Sequence, residues 1–294
     1  MEKMLVATDF SAQSIVAAKY AHQWSILLEK ELEVIHLDLL TPMLDSMPVS
    51  ESHIQDMTQV IEQQFTKFKS QLGFEIKEPI QVLKNENLKH SFQDFFSKNS
   101  FGSESYLFVG AKNHDFLNRF FLGSFTEKVV QLSPIPIVVC KSENFQKPND
   151  ILVAVDFSSN TEKILQKSKM LAQSFKANIH LVNVINTNIN QYAGLNHYFT
   201  DQSIFNLDGL ITQQVEMAKK ELEKIAQSMQ ISSFEVHCTV EKNIGAVLGD
   251  YATKNRYDLI VVAEHQRNAI DRLILGHTTV DLIRSSDKNI CVIK

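Results

Sequence analysis

An internal repeat constrains the fold of this 294-residue chain more than any other feature. Residues 5–11 read LVATDFS and residues 152–158 read LVAVDFS, so six of seven positions are identical at an offset of 147. Further along, FLNRFFLGS at 116–124 aligns with AIDRLILGH at 269–277 at an offset of 153. Matching segments in the same order at a slowly growing offset are typical of a duplicated domain, and not of a short-period solenoid.

The repeat predicts two domains of similar length. Their junction lies near KSENFQKPND at residues 141–150, a polar stretch in which Pro148 disfavours helix on its amino side. We therefore predict domains at residues 1–144 and 149–294. The chain is long enough for two ordinary domains, and its hydrophobic content of 44% is sufficient for a core in each.

Each half alternates strand-like and helix-like runs in the same order. The first half opens with MLVATDF, continues with SAQSIVAAKYAHQWSILLEK and closes with IPIVVCK, and the second runs from ILVAVDF to NICVIK. Alternating strands and helices predict βαβ units with parallel sheets, and the continuous Val/Ile/Leu runs indicate strands covered on both faces. The predicted fold class is therefore α/β, with two doubly wound parallel five-stranded sheets. In the second half, Ser158 or Ser159 ahead of Glu162 resembles a helix capping box.

Composition argues against several classes of protein. The net charge of −5 does not favour nucleic-acid binding, and no run of 18 apolar residues predicts a membrane span. The amino terminus, MEKMLVATDF, carries charges and runs directly into a strand-like segment, which is unlike a signal peptide. Cys140, Cys238 and Cys291 are sparse and lack CxxC spacing, as expected of reduced thiols. We therefore expect a cytoplasmic protein.

The fold class predicts where a ligand would bind. In open α/β sheets, ligands bind outside the carboxyl ends of the strands, at the point where the strand order reverses. In the first half, Thr8 and Asp9 stand at the end of the first strand and Gly110 at the end of the fourth. Candidate binding residues therefore fall at these two strand ends.

A glycine-containing loop follows the fourth strand. Gly110 permits close approach of the backbone, and Asn113 tolerates the left-handed region better than other non-glycine residues. Gly123 and Ser124 open the next helix, whose amino terminus favours a phosphate, and Lys112 adds a positive charge. Together these residues predict an anion-binding cradle beside Asp9. The same pattern is also compatible with two ordinary loops, because glycine at a strand end or helix start is common.

At these residues the sequence resembles the universal stress protein family in its tandem, two-domain form. The resemblance covers nearly all of the chain. It rests on LVATDFS, LVAVDFS and the two strand–motif–helix–strand endings, which begin YLFVGAKNH and DLIVVAEHQ. The family pattern is Gly, two residues, Gly, nine residues, then Gly-Ser or Gly-Thr. In ATP-binding members these positions hold the phosphates, and the acid of the first strand contacts the nucleoside.

The resemblance transfers unevenly to the two halves. In the first half Asp9, Gly110, Gly123 and Ser124 match the pattern, whereas Asn113 replaces the second glycine. The predicted nucleotide-binding residues are Thr8, Asp9, Gly110, Lys112, Asn113, Gly123, Ser124 and Phe125. We predict no catalytic residue and no metal ligand of the protein.

The second half keeps the fold motifs but departs from the binding pattern. Asp156 and Gly276 match it, whereas Ala263, Gln266 and His277 replace the two other glycines and the serine. Ala and Gln add side chains where the backbone and a phosphate should approach closely. We therefore interpret the second site as degenerate.

The resemblance implies a stress-response module that binds ATP, with Mg²⁺ as an accompanying ion, and not an enzyme. It also implies a pseudo-dimer of the two halves through their last strands, and leaves a further homodimer open. The alternatives are a scaffold of the same fold that binds no nucleotide and a slow ATP hydrolase. The sequence contains no GxSxG elbow and no GxxxxGK[ST] loop, and its histidines lack metal-ligand spacing. We interpret His36 as a packed strand histidine and His180 as one of several scattered histidines.

Overall fold

The computed structural model describes residues 2–38, 51–76, 81–84, 88–111, 124–187, 207–231, 233–264 and 276–294. Its strands are β1 (Lys3–Thr8), β2 (Glu31–Asp38), β3 (Gln81–Lys84), β4 (Tyr106–Gly110), β5 (Ile137–Cys140), β6 (Asp150–Ala154), β7 (Asn178–Asn186), β8 (Ser233–Thr239), β9 (Leu259–Ala263) and β10 (Asn289–Ile293). Its helices are α1 (Ala12–Leu27), α2 (Glu51–Leu72), α3 (Leu88–Lys98), α4 (Ser124–Leu132), α5 (Thr161–Phe175), α6 (Leu207–Met229), α7 (Ile244–Lys254) and α8 (His277–Ser285).

The chain forms two compact units. In the described part of the chain, the first unit extends to Gln146 and also includes Asn289–Lys294. The second unit runs from Lys147 to Glu264 and from Gly276 to Lys288. Contacts within the fold define these units, whereas the sequence repeat defines the predicted domains. The domain limits 1–144 and 149–294 therefore remain a prediction.

The first unit contains one mostly parallel sheet in the order β3-β2-β1-β4-β5-β10. The first five of these strands are parallel to their neighbours. β10 is antiparallel to β5, with Ile290 opposite Val139 and Val292 opposite Ile137. Cys140 and Cys291 are buried on these two strands as reduced thiols.

The second unit contains a parallel sheet in the order β9-β6-β7-β8. The predicted α/β class and doubly wound parallel sheets are therefore confirmed, with five strands in each half of the sequence. Two details differ from the prediction of two parallel five-stranded sheets. β10 belongs to the sheet of the first unit, so that the units contain six and four strands, and it runs antiparallel to β5. The pattern of apolar residues specifies that a strand is buried, but it does not specify the direction of its neighbour.

The core of the first unit follows from the apolar strand runs. Met4, Leu5, Val6 and Ala7 of β1 have no solvent exposure, and all of β4 is buried. The indole of Trp24 in α1 packs edge-on against Phe108 of β4, with ring centroids 5.2 Å apart. A helix thus covers the sheet directly beside the ends of β1 and β4.

The starts of α1 and α5 are capped differently although they are repeat equivalents. Ser11 caps α1 by accepting a hydrogen bond from the backbone N–H of Ser14 at 3.3 Å. The N-cap of α5 is Asn160, whose side chain makes no cap bond, so the capping box predicted from Ser158 or Ser159 is wrong. The reason is that the Asn160 amide donates instead to the main-chain oxygen of Glu264, at 2.8 Å.

Candidate functional site

The strand order of the first unit places a crevice between β1 and β4. β2 and β3 lie on one side of β1, and β4 and β5 lie on the other, so the order reverses between β1 and β4. Thr8 ends β1 and Gly110 ends β4. Both predicted strand ends therefore lie at the kind of position where α/β sheets bind ligands.

A tight turn after β1 holds the Asp9 carboxylate. The backbone N–H of Ser11 donates to Asp9 Oδ1 at 3.1 Å, and the Ser14 hydroxyl donates to the same oxygen at 2.5 Å. In return, the backbone N–H of Asp9 donates to the Ser14 hydroxyl at 3.2 Å. Asp9 is exposed, and within the described residues its side-chain bonds use Oδ1, which leaves Oδ2 as a hydrogen-bond acceptor for a ligand.

Phe10 completes this turn and was not among the predicted site residues. Its backbone is left-handed, with φ of 62°, and its N–H donates to the Thr8 hydroxyl at 2.9 Å. Its ring stacks on His36, with ring centroids 4.1 Å apart, and meets the edge of Phe68 at 5.7 Å. The available sequence signal was the repeated Asp-Phe-Ser, since the turn after the first strand carries the same aromatic residue in both halves.

His36 contacts the main chain directly before the turn. It is buried on β2, and its Nδ1 lies 2.8 Å from the main-chain oxygen of Thr8. A carbonyl oxygen only accepts, so Nδ1 carries the proton and donates. The structure therefore places His36 as a packed strand histidine, as the sequence interpretation held.

A cavity of about 410 Å³ opens beside the Asp9 turn. It lies between the start of α1 and one face of α2, and its walls combine an acid, a base, amides and two phenyl rings. The described residues that line it are Asp9, Phe10, Ser11, Ala12, Ile15, Gln64, Lys67, Phe68 and Gln71. Its volume is in the range of pockets that hold small-molecule ligands.

Gly110 lies where β4 meets the first turn of α1. A Cβ atom at this position would overlap the main-chain oxygen of Gln13, so a side chain is excluded unless the backbone shifts. The carbonyl of Gly110 accepts a hydrogen bond from the Thr126 hydroxyl at 2.7 Å. Because Thr126 lies in the first turn of α4, this bond ties the end of β4 to the amino terminus of that helix.

The other predicted residues divide between described and undescribed positions. Thr8 is fully buried, and α4 begins at Ser124 as predicted. Phe125 is largely buried, with 9% of its surface exposed. Lys112, Asn113 and Gly123 lie outside the described residues, and their roles remain predictions.

The second unit repeats the turn that follows the first strand, but it has no glycine at the position equivalent to Gly110. The backbone N–H of Ser158 donates to Asp156 Oδ1 at 3.0 Å, and Phe157 is left-handed with φ of 56°. Ala263 ends β9 where Gly110 ends β4. Gln266 lies outside the described residues. The repeat therefore extends to the backbone geometry of the turn, although the strand end beside it differs.

The described residues contain neither a metal-type cluster nor a membrane-type helix. No group of three or more His, Cys, Asp or Glu side chains is placed to hold a metal ion. No described helix combines the length and apolar character needed to span a bilayer.

The fold defines a doubly wound α/β protein, with a cavity of the size that holds small molecules next to the end of its first strand. The model of the universal stress protein family matches residues 148–294, which is half of the chain. The chain belongs to the universal stress protein family.

Relatives and solved structures agree with this assignment. The universal stress protein Slr1230 of Synechocystis is 27% identical over 168 residues, which cover 56% of this chain and about half (49%) of that protein. Universal stress protein A homolog 1 of Coxiella burnetii is 27% identical over 124 residues, which cover 42% of this chain and 81% of that protein. A universal stress protein structure from Archaeoglobus fulgidus matches with a TM-score of 0.66 at 19% identity, over 99% of this chain and 98% of that one. At this identity, the structural match supports the shared fold.

Proposed function

We propose that the first unit binds an adenine nucleotide, ATP, in the crevice between β1 and β4. The observation that carries the proposal is the cavity of about 410 Å³ between the start of α1 and α2, which Asp9 lines directly after the end of β1. The strand order of the sheet reverses beside β1, where α/β sheets bind ligands. It combines aromatic surface from Phe10, a positive charge from Lys67 and an exposed Asp9 carboxylate whose Oδ2 accepts no hydrogen bond from the described residues. These are the kinds of group that bind a ribose hydroxyl, an aromatic base and a phosphate.

In this proposal the two strand ends have different roles. Thr8 and Asp9 hold the nucleoside, with Asp9 Oδ2 accepting a hydrogen bond from a ribose hydroxyl. Gly110, Lys112, Asn113, Gly123, Ser124 and Phe125 form the phosphate side, where the amino terminus of α4 offers backbone N–H groups. Mg²⁺ accompanies the phosphates as part of the ligand, without a dedicated protein site.

The proposed role is that of a binding and signalling module in a cytoplasmic stress response, and not that of an enzyme. Asp9 is engaged by Ser11 and Ser14 within its turn, as a binding group would be. A pseudo-dimer between the halves is proposed as the assembly, with a further homodimer open.

A second candidate is a scaffold of the same fold that works through protein contacts. Its support lies in the second unit, where Ala263 replaces glycine at the strand end and the Asn160 amide donates to the main-chain oxygen of Glu264. In the first unit glycine ends the equivalent strand, whereas here alanine ends it and a side chain uses the carbonyl that follows. We therefore assign nucleotide binding to the first unit alone.

Calorimetric titration with ATP, with and without Mg²⁺, tests the proposal. We expect one site per chain, and we expect Asp9→Ala to weaken binding about 10- to 100-fold, because a hydrogen bond to a charged group contributes about 1.5–3 kcal/mol. Asp156→Ala is the matched control, since Asp156 accepts the same backbone bond in the second unit. Absence of heat at millimolar ATP, or equal losses in the two variants, would exclude the first-unit site in favour of the scaffold.

A further inference from the structure

The second unit brings several polar side chains together at the amino edge of its sheet. Asp150, Asn178 and Ser233 are the first residues of β6, β7 and β8. In the strand register Asp150 is opposite Asn178, and His180 is opposite Ser233. Side chains two residues apart on a strand share a face, so these residues lie on one face of the sheet. This edge is opposite to the strand ends that carry Asp156 and Ala263.

Three of these side chains form a continuous hydrogen-bonded chain. The Ser233 hydroxyl lies 2.8 Å from His180 Nδ1, and His180 Nε2 lies 2.9 Å from Asp150 Oδ1. Asn178 Nδ2 donates to the same carboxylate oxygen at 3.1 Å. A carboxylate only accepts, so His180 carries its proton on Nε2. The unprotonated Nδ1 then accepts from the hydroxyl of Ser233.

The surroundings keep this chain both ordered and accessible. The ring of Tyr257 packs on His180, with ring centroids 4.8 Å apart. The side chains of His180 and Asp150 are 22% and 40% exposed, so solvent and a small molecule reach them. Next along the same face, the Tyr251 hydroxyl donates to Glu235 at 2.8 Å, and His237 lies beyond it.

We propose that Asp150, His180 and Ser233 form an acyl-transfer site for small, activated esters. The arrangement has the chemical order of a nucleophile, a general base and an orienting carboxylate. Recognition rests on this connectivity and not on sequence position, so the missing GxSxG elbow does not argue against it. The site is independent of the nucleotide proposal, because it uses none of the same residues or strand ends.

The proposed reaction has two balanced steps. Ser233 Oγ attacks the ester carbonyl carbon while its proton passes to His180 Nδ1, and the bond to the leaving alcohol breaks as His180 returns that proton to the leaving oxygen. A water molecule then attacks the acyl-serine, gives a proton to Nδ1, and releases the acid as Ser233 regains its proton. The sum is ester and water to acid and alcohol. Asp150 is a positioning residue that holds the ring and stabilises the imidazolium formed in each step.

The sequence alone did not indicate this site. Asp150, His180 and Ser233 are separated by 30 and 53 residues, and no local spacing connects them. Only the register of β6, β7 and β8 brings them together. His180 was therefore grouped with scattered histidines.

A fluorophosphonate probe tests the nucleophile directly. The folded full-length chain is incubated with the probe, and the labelled peptide is identified by mass spectrometry. We expect labelling at Ser233 and loss of labelling in Ser233→Ala. His180→Gln is expected to slow labelling about 100-fold, because general-base assistance contributes roughly 10²–10⁴ in rate. Ser228→Ala is the matched control, since Ser228 is exposed and its hydroxyl donates locally to the carbonyl of Ile225.

A second assay follows p-nitrophenyl acetate hydrolysis in the same variants, with the thermal midpoint of each measured in parallel. Loss of labelling and hydrolysis in Ser233→Ala, and about 100-fold slowing of both in His180→Gln, at unchanged thermal midpoint, support the proposal. Absence of labelled Ser233 in the folded wild-type chain overturns it. So does labelling of Ser233 at the same rate in His180→Gln, or labelling only after heat denaturation, because either result means that the three groups only join the strand ends.

Discussion

The Nδ1 atom of His36 lies 2.8 Å from the main-chain oxygen of Thr8, and this bond joins β2 to the end of β1 beneath the candidate site. The second unit contains its counterpart, in which Asn183 Nδ2 donates to the main-chain oxygen of Val155 at 2.7 Å. Two different side chains therefore bond to the equivalent main-chain carbonyl in the two halves. Both are buried, so the bond is made away from water.

Replacement of His36 tests whether this bond supports the turn. We expect His36→Leu to lower the free energy of unfolding by about 1–3 kcal/mol, because it removes the donor to a buried carbonyl. His36→Asn introduces the side chain that does this in the second unit, and it should cost less. Urea denaturation of both variants measures the difference. Equal losses would mean that ring packing on Phe10, and not the hydrogen bond, accounts for the effect.

Replacement of Gly110 tests the close approach of β4 and α1. We expect Gly110→Ala to destabilise the protein by about 1–3 kcal/mol, since the new Cβ meets main-chain atoms of Gln13 and only a backbone shift can relieve the overlap. Gly249→Ala is the control, because its new Cβ would lie 3.1 Å from the Cβ of Ser286, a contact that a small movement relieves. Chemical denaturation compares the two variants. A Gly110→Ala variant as stable as wild type would show that the crevice tolerates a side chain there.

The Lys3–Glu33 ion pair is expected to stabilise the first unit measurably. Lys3 Nζ lies 2.6 Å from the Glu33 carboxylate, whose side chain is 5% exposed. Lys3→Met should therefore cost about 1–3 kcal/mol, because a buried carboxylate loses a charged hydrogen-bond donor. The solvent-exposed Lys98–Asp94 pair, at 3.4 Å, provides the contrast, and Lys98→Met should cost less than about 1 kcal/mol. Thermal unfolding that ranks the variants in the opposite order would contradict this prediction.

Asp150 is expected to make stability depend on acidity. The hydrogen bond from His180, followed by the one from Asn178, holds the pKa of Asp150 below its ordinary value of 3.8. A carboxyl with a lowered pKa in the folded state stabilises that state above the unfolded pKa, and the contribution is lost as the pH falls through the folded pKa. Asp150→Asn should therefore be less stable than wild type near pH 6. The difference in free energy of unfolding between the two proteins should narrow as the pH falls below 3.8.

Unfolding of wild type and Asp150→Asn across this acidic range measures the effect. Asn178→Ala removes only the second of the two hydrogen bonds to Asp150. Its difference in free energy of unfolding from wild type near pH 6 should therefore be smaller than that of Asp150→Asn. A difference between wild type and Asp150→Asn that stays constant with pH would mean that Asp150 contributes through packing and not through its charge. The effect is expected to be small, since the carboxylate is 40% exposed and is screened by solvent.

Apolar patterning and the repeat predicted most of the secondary structure. The strand-like run MLVATDF is found as β1 at Lys3–Thr8, and the strand-like run NICVIK is found as β10 at Asn289–Ile293. These predictions succeeded because burial of a strand or of one helix face leaves a local periodic signal. The start of α5 was missed because its cap depends on the partner of the Asn160 side chain, which is the main-chain oxygen of Glu264, distant in sequence.

The candidate site was only partly predictable for the same reason. Asp9 and Gly110 could be identified because each ends an apolar run in the sequence. Phe10, Lys67 and Phe68 could not be assigned to one cavity, since they come from a turn and a helix whose packing has no local signature. The Asp150–His180–Ser233 chain depends entirely on strand register, which single-sequence patterns do not specify.

The position of β10 has a consequence for biosynthesis. Asn289–Ile293 supply the strand that covers the outer edge of β5, yet they emerge from the ribosome only after the whole second unit. Until then β5 presents an uncovered edge, and such edges pair readily with other chains. A nascent or carboxyl-terminally truncated chain should therefore be prone to aggregation through its first unit, even though the missing residues are the most distant from that unit in the order of synthesis.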